Sequence, residues 1–183
     1  MALAALVWTG GCSNTQGTSE SPVFLTVSLD LQPGFINVAV PAPVQINTIT
    51  IQSHAKDPSS VDTQGFSDVQ VNQYTVTFTR TDGGTVVPPP QTFGCGVLVP
   101  HDGNAALSNF PILYASSLQQ QPFDALFPYN GGIDRETGKN EIDMKFNITF
   151  YGTTVSGKRV QSDTASGLLT FQYSAAAPAR AAR

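Results

Sequence analysis

Two histidines, thirteen carboxylate side chains and two cysteines are the groups from which this chain of 183 residues could build chemistry. His54 and His101 each have an aspartate close by in sequence, Asp57 and Asp102, and serine is abundant. A hydroxyl–imidazole–carboxylate relay could in principle form at either histidine. Solvent-exposed loop histidines account for the same residues without chemistry. The spacings of a nucleophile elbow, a zinc-binding helix and a redox dithiol are all absent. No pair of carboxylates is singled out for glycoside hydrolysis. Gly152-Thr153-Thr154-Val155-Ser156-Gly157-Lys158-Arg159 comes close to the phosphate-binding pattern G-x-x-x-x-G-K-[ST]. That loop needs a helix after it, whose N-terminus faces the phosphate. Here Arg159 stands where a hydroxyl should hold magnesium, and a strand-like stretch follows. The segment therefore reads as a hairpin turn. The chain is not expected to be an enzyme or to carry a cofactor.

Binding is the next possibility. Carboxylates gather at Asp57, Asp62 and Asp68, and again at Asp134, Glu136, Glu141 and Asp143 beside Asn140. Calcium takes several hard oxygens from a flexible loop, which makes Asp134, Glu136 and Asn140 candidate ligands. Their spacing is not that of an EF-hand, and an exposed, solvated acidic turn is the alternative. Aromatics concentrate at Phe110, Tyr114, Phe123, Phe127 and Tyr129. Exposed rings in a row would suit sugar stacking, with Tyr114 and Tyr129 as candidates; otherwise the group caps one end of a core. Cys95, between Gly94 and Gly96, reads as a small buried residue. Nine basic residues against thirteen acidic ones, with no basic cluster, argue against nucleic-acid binding.

These residues need elements to position them, and the clearest is Glu141 to Tyr173. Ile142, Met144, Phe146, Ile148 and Phe150 alternate with polar or amphipathic neighbours, the period of a half-buried strand. A turn bracketed by Gly152 and Gly157 leads to a return strand from Val160 to Tyr173, kinked near Gly167. Alternation earlier in the chain predicts strands over Val23–Leu31, Ile36–Val40, Val44–Ile51, Val69–Phe78 and Thr92–Val99. A phase change at Thr48-Ile49 calls for a bulge or a switch of face, and another falls at Asn72-Gln73. Val86-Val87 is a brief return after the turn signal Asp82-Gly83-Gly84. Phe110–Tyr114 is an ambiguous strand, and Pro122–Phe127 a single helical turn. About eight or nine short strands with turns roughly every ten residues predict an all-β fold, an antiparallel β-sandwich, with a small barrel as runner-up. The outline is similar to immunoglobulin-like and fibronectin-III-like domains, though the paired cysteines and core tryptophan of a true immunoglobulin domain are missing.

The start of the chain supplies a second resemblance. Met1–Trp8 is a short apolar run, followed by Thr9-Gly10-Gly11-Cys12 and the polar stretch Ser13–Ser21. This resembles the end of a bacterial lipoprotein signal peptide, in which a small residue precedes the cysteine that is lipidated. Thr9 stands where that family usually has Leu, and no Lys or Arg precedes the apolar run. The resemblance implies lipidation of Cys12 and, through Ser13, transport to an outer membrane. A cleaved secretory signal and a retained N-terminus are the alternatives; an unmodified Cys12 would be free to pair with Cys95. The chain thus divides into a signal-like segment (1–12), a tether (13–21), a sandwich domain (22–174) and an Ala-rich tail (175–183). The expected role is a non-catalytic lipoprotein module at the cell envelope, structural or protein-binding, and otherwise periplasmic or secreted. Its membrane contact would be the lipid anchor alone. The alternatives are a glycan- or calcium-binding module and, last, a small hydrolase.

Overall fold

The computed structural model describes residues 20–30, 34–59 and 61–175. Cys12, the signal-like segment, nearly all of the tether and most of the tail lie outside the described residues. Within them the chain forms β1 (Val23–Asp30), β2 (Gly34–Asn37), β3 (Val44–Ala55), β4 (Val69–Arg80), β5 (Gln91–Val99), β6 (Asn104–Leu113), β7 (Glu141–Thr154), β8 (Arg159–Gln161) and β9 (Ala165–Gln172). The ambiguous stretch at Phe110 is therefore the end of a strand. The expected helical turn is a 3₁₀ turn over Phe123–Leu126, flanked by two others at Ala115–Gln119 and Pro128–Asn130.

The alternation in β7 is the register of its burial. Ile142, Met144, Phe146, Ile148 and Phe150 are fully buried, at 0% exposure. β7 lies inside the larger sheet, whose order is β2-β9-β7-β4-β5, with β8 against its end. β1, β3 and β6 make a second sheet. Side chains from both sheets share one hydrophobic cluster. The fold is all-β, with two sheets, one of them curled into a half-barrel, consistent with a β-sandwich. Tyr74 joins the layers. Its ring lies 5.0 Å from Phe93, 4.0 Å from Phe110 and 5.4 Å from Phe150, and its hydroxyl donates to the Pro111 carbonyl at 2.6 Å.

One pairing differs from the antiparallel expectation: β2 runs parallel to β9. β1 makes a parallel bridge, Leu25 to Ser162, with the segment leading into β9. β2 keeps that direction when it joins the larger sheet, so its pair with β9 is parallel. Val86-Val87 forms no strand among the described residues, because the main chain there is engaged by a carboxylate described below.

The phase changes have local causes. At Asn72 the register slips: Val71 faces Gly152 and Gln73 faces Tyr151, so β4 carries one extra residue against β7. On β3 the buried set passes from Ile46 to Ile49. β6 changes phase opposite it at Asn109, which adopts a left-handed conformation with φ 53°. Asparagine accepts that conformation better than most residues.

The registers define two ends. Val23, Ala55, Val69, Val99 and Thr154 lie at the end where the described chain begins. Arg80, Glu141 and Gln172 lie at the opposite, far end. Gly152 sits opposite the bulge, where a Cβ would stand 2.5 Å from the Gln70 carbonyl oxygen. Gly152→Ala should therefore lower stability by about 1–3 kcal/mol through forced backbone movement. Urea denaturation followed by far-UV circular dichroism measures this; an unchanged midpoint would contradict the close approach.

Candidate functional site

Arg80 organises the far end. It closes the inward-facing series Tyr74, Val76, Phe78, Arg80, so the alternation of β4 carries a cation into the end of the core. Its side chain is 1% exposed. Its Nε and Nη2 donate to the two Asp82 oxygens at 2.8 Å each, and Nη2 also donates to Asp134 at 2.9 Å. Glu136 lies 3.7 Å from Nη1. Gly84 leaves the room for this guanidinium that any side chain there would occupy.

The carboxylates tie loops together while they neutralise Arg80. Asp134 accepts from the Thr137 backbone N–H at 2.9 Å and its hydroxyl at 2.7 Å. Glu136 accepts from the backbone N–H groups of Thr85 at 2.7 Å and Val86 at 2.9 Å. Asp82 accepts from the N–H groups of Gly84 and Asp143, each at 3.1 Å. Burial pushes the Asp82 carboxyl up, but the Arg80 guanidinium and these N–H groups outweigh it and bring it to about 2. Asp134 is lowered in the same way: burial opposes, and Arg80 and Thr137 prevail. Glu136 is lowered by its bonds to Thr85 and Val86.

The acidic turn is largely exposed, as expected from sequence, but Asp134 within it is buried. Of the three candidate calcium ligands, Asp134 and Glu136 meet around Arg80, while Asn140 stays exposed. Among the described residues no group of three or more His, Cys, Asp or Glu side chains is placed to hold a metal ion. Arg80 is the residue that sequence reading passed over. Its signal was parity: it falls on the apolar face of its strand.

The two candidate tyrosines are also at the far end, in different settings. Tyr114 lies against Phe93, with ring centroids 4.5 Å apart, and its backbone N–H donates to Gln91 Oε1 at 2.9 Å. It braces the start of β5. Tyr129 is 79% exposed and leans on Phe127 at 5.3 Å. Phe123 turns into the core against Phe171 at 4.4 Å. The aromatic group therefore caps the core and also shows two rings, Tyr114 and Tyr129, to solvent.

The other candidates lie at the opposite end or on the sheet faces. His54 Nε2 is 2.8 Å from the Thr26 hydroxyl, and its ring stacks on Phe24 at 4.9 Å. The backbone N–H of His101 donates to Asp68 at 2.8 Å, and Asp102 accepts from the Ala55 N–H at 2.6 Å. Asp62 is lowered to about 2, chiefly by the Ser67 N–H. Asp62 fastens its own loop, while Asp68 and Asp102 tie separate segments together. Asp57 accepts from Ser59. Cys95 is partly buried and free of any disulfide among the described residues. The phosphate-loop-like segment is the end of β7, a turn and β8, as the hairpin reading had it. Beside it, on the outer face of the larger sheet, a groove of about 450 Å³ is lined by residues including Asn72, Gln73, Tyr151, Arg159 and Gln161.

Comparison with known protein families and with curated proteins found no match.

The Arg80 cluster makes stability depend on acid in a defined direction. Asp82 and Asp134 have lowered pKa values in the fold, so their contribution is complete above the ordinary aspartate value of 3.8 and is lost as pH falls through those lowered values, about 2 for Asp82. Arg80→Met should cost about 3–5 kcal/mol near neutral pH, because it leaves buried carboxylates without their cation. It should also shrink the fall in stability between pH 4 and 2, leaving the share that Asp62 and Glu136 contribute through their own backbone hydrogen bonds. Urea midpoints across pH measure both effects; the same acid limb in both proteins would contradict the assignment.

Proposed function

We propose that this chain is a non-catalytic, lipid-anchored module of the cell envelope, with an immunoglobulin-like sandwich that offers its far-end loops to a protein partner. Strand order supports the fold reading. In chain order β1, β3 and β6 correspond to strands A, B and E, and β4, β7 and β9 to strands C, F and G of such a domain. Tyr74 on β4 occupies the inter-sheet position that a strand-C tryptophan fills in antibody domains. The observation that carries the functional reading is polarity. The described chain begins at one end, and the loops fastened by Arg80, together with exposed Tyr129, stand at the other. A lipid on Cys12 would hold the first end near a membrane and leave the second free. No helix among the described residues is long and apolar enough to cross a membrane.

Mass spectrometry of the protein purified from membranes tests the anchor. The expected N-terminal peptide begins at Cys12 and carries a thioether-linked diacylglyceryl group. An intact Met1 or an unmodified Cys12 would overturn it. The groove beside Tyr151 favours a second reading, a glycan-binding face, because amides and an aromatic ring meet there without a carboxylate. On that reading, oligosaccharide binding by calorimetry should weaken about two- to tenfold in Tyr151→Ala, the loss expected of a stacked ring.

A further inference from the structure

Phe66 and Val155 are each 57% exposed, a costly arrangement for side chains of that size in water. They are also neighbours. The Ser156 N–H donates to the Phe66 carbonyl at 3.0 Å and the Val155 N–H to the Asp68 carbonyl at 2.9 Å, which joins the loop before β4 to the turn between β7 and β8. Val61, in the same loop, is 83% exposed. The described chain begins beside this patch: Glu20 pairs with Lys158, in the same turn as Val155, at 3.3 Å.

We infer that this end of the sandwich rests on the lipid surface, with Phe66 and Val155 inserted at the boundary of headgroups and acyl chains. The inference rests on the lipid anchor proposed above. Seven residues, 13–19, separate Cys12 from Glu20. However they are arranged, so few residues can reach at most about 25–29 Å. The anchor supplies the local concentration, so the patch needs only enough affinity to orient the domain. The aspartates around it are engaged by backbone N–H groups: Asp62 accepts from Gln64 and Ser67, Asp68 from His101, and Asp102 from Ala55. Carboxylates still outnumber cations at this end, so the surface that fits is zwitterionic, and the attraction is apolar insertion. The far end also exposes apolar side chains, among them Tyr129 and Ile133, but it lies away from the tether. The same contact would direct the Arg80 loops outward.

The composition of the chain provides the test. Trp8 is its only tryptophan and leaves with the signal segment, so a single introduced tryptophan reports alone. Phe66→Trp and Tyr129→Trp proteins, each lipidated, are reconstituted into phosphatidylcholine vesicles with and without brominated acyl chains. Emission from position 66 should shift to the blue and fall about twofold with brominated lipid, as expected for a ring held ~5–10 Å into the boundary region. Emission from position 129 should not change. Lipidated, vesicle-bound protein in which position 66 is quenched no more than position 129 overturns this inference and leaves the anchor standing. A mature chain whose mass lacks the lipid overturns both.

Discussion

Five side chains on one face of β7 must leave water together, and most of the structure follows from that requirement. Each would contribute at most about 1.5–3 kcal/mol on burial. A hairpin cannot realise this alone. β4 and β9 flank β7 and continue its inward face with Tyr74, Val76 and Phe78 on one side and Leu169 and Phe171 on the other. The second sheet then covers that face with Ile46, Ile49, Ile51, Phe110 and Ile112. The contact of Tyr74 with Phe110 and with the Pro111 carbonyl links the layers at one point that is both apolar and directional. A phenol is well suited there, since its ring fills the core while its hydroxyl reaches a main-chain acceptor.

The same inward face ends in a charge. Desolvating Arg80 is unfavourable, and Asp82 and Asp134 offset the cost by meeting it with hydrogen-bonded carboxylates. These anions also fix main-chain N–H groups in the turn after β4 and at the start of β7, and Glu136 does the same for Thr85 and Val86. One buried cation thus orders loops that would otherwise have little to pack against. The far end becomes a defined surface, which is what a protein partner requires. At the other end aspartates tie the loops to backbone N–H groups within and between them, and apolar side chains remain outside.

Much of the fold was legible because period-two alternation is a direct image of a half-buried strand. Ile142 to Phe150 and Tyr74 to Phe78 read correctly for that reason, and so did the break at Asn72, which shows as a slipped period. β6 was ambiguous: its outer half carries small residues, and its period breaks at Asn109. The parallel pairing of β2 left no local mark, since a strand's pattern records which face is buried and not which neighbour it joins. The candidate site was half legible. Asp134 and Glu136 stood out as acidic residues near a turn, which fits a metal site and an ion-pair cluster equally well. Their partner is distant in sequence, and only the parity of Arg80 on its strand hinted that it pointed inward.

A two-ended scaffold of this kind depends on β7 being the last element to open. Native-state hydrogen exchange tests that most directly. The backbone amides of Phe146 and Ile148, where β7 is flanked by both β4 and β9, should exchange only through global unfolding, with the free energy given by denaturant melting. Amides of β2 and of the outer side of β5 should exchange far sooner. Exchange of the β7 amides at free energies as low as those of β2 would contradict the account.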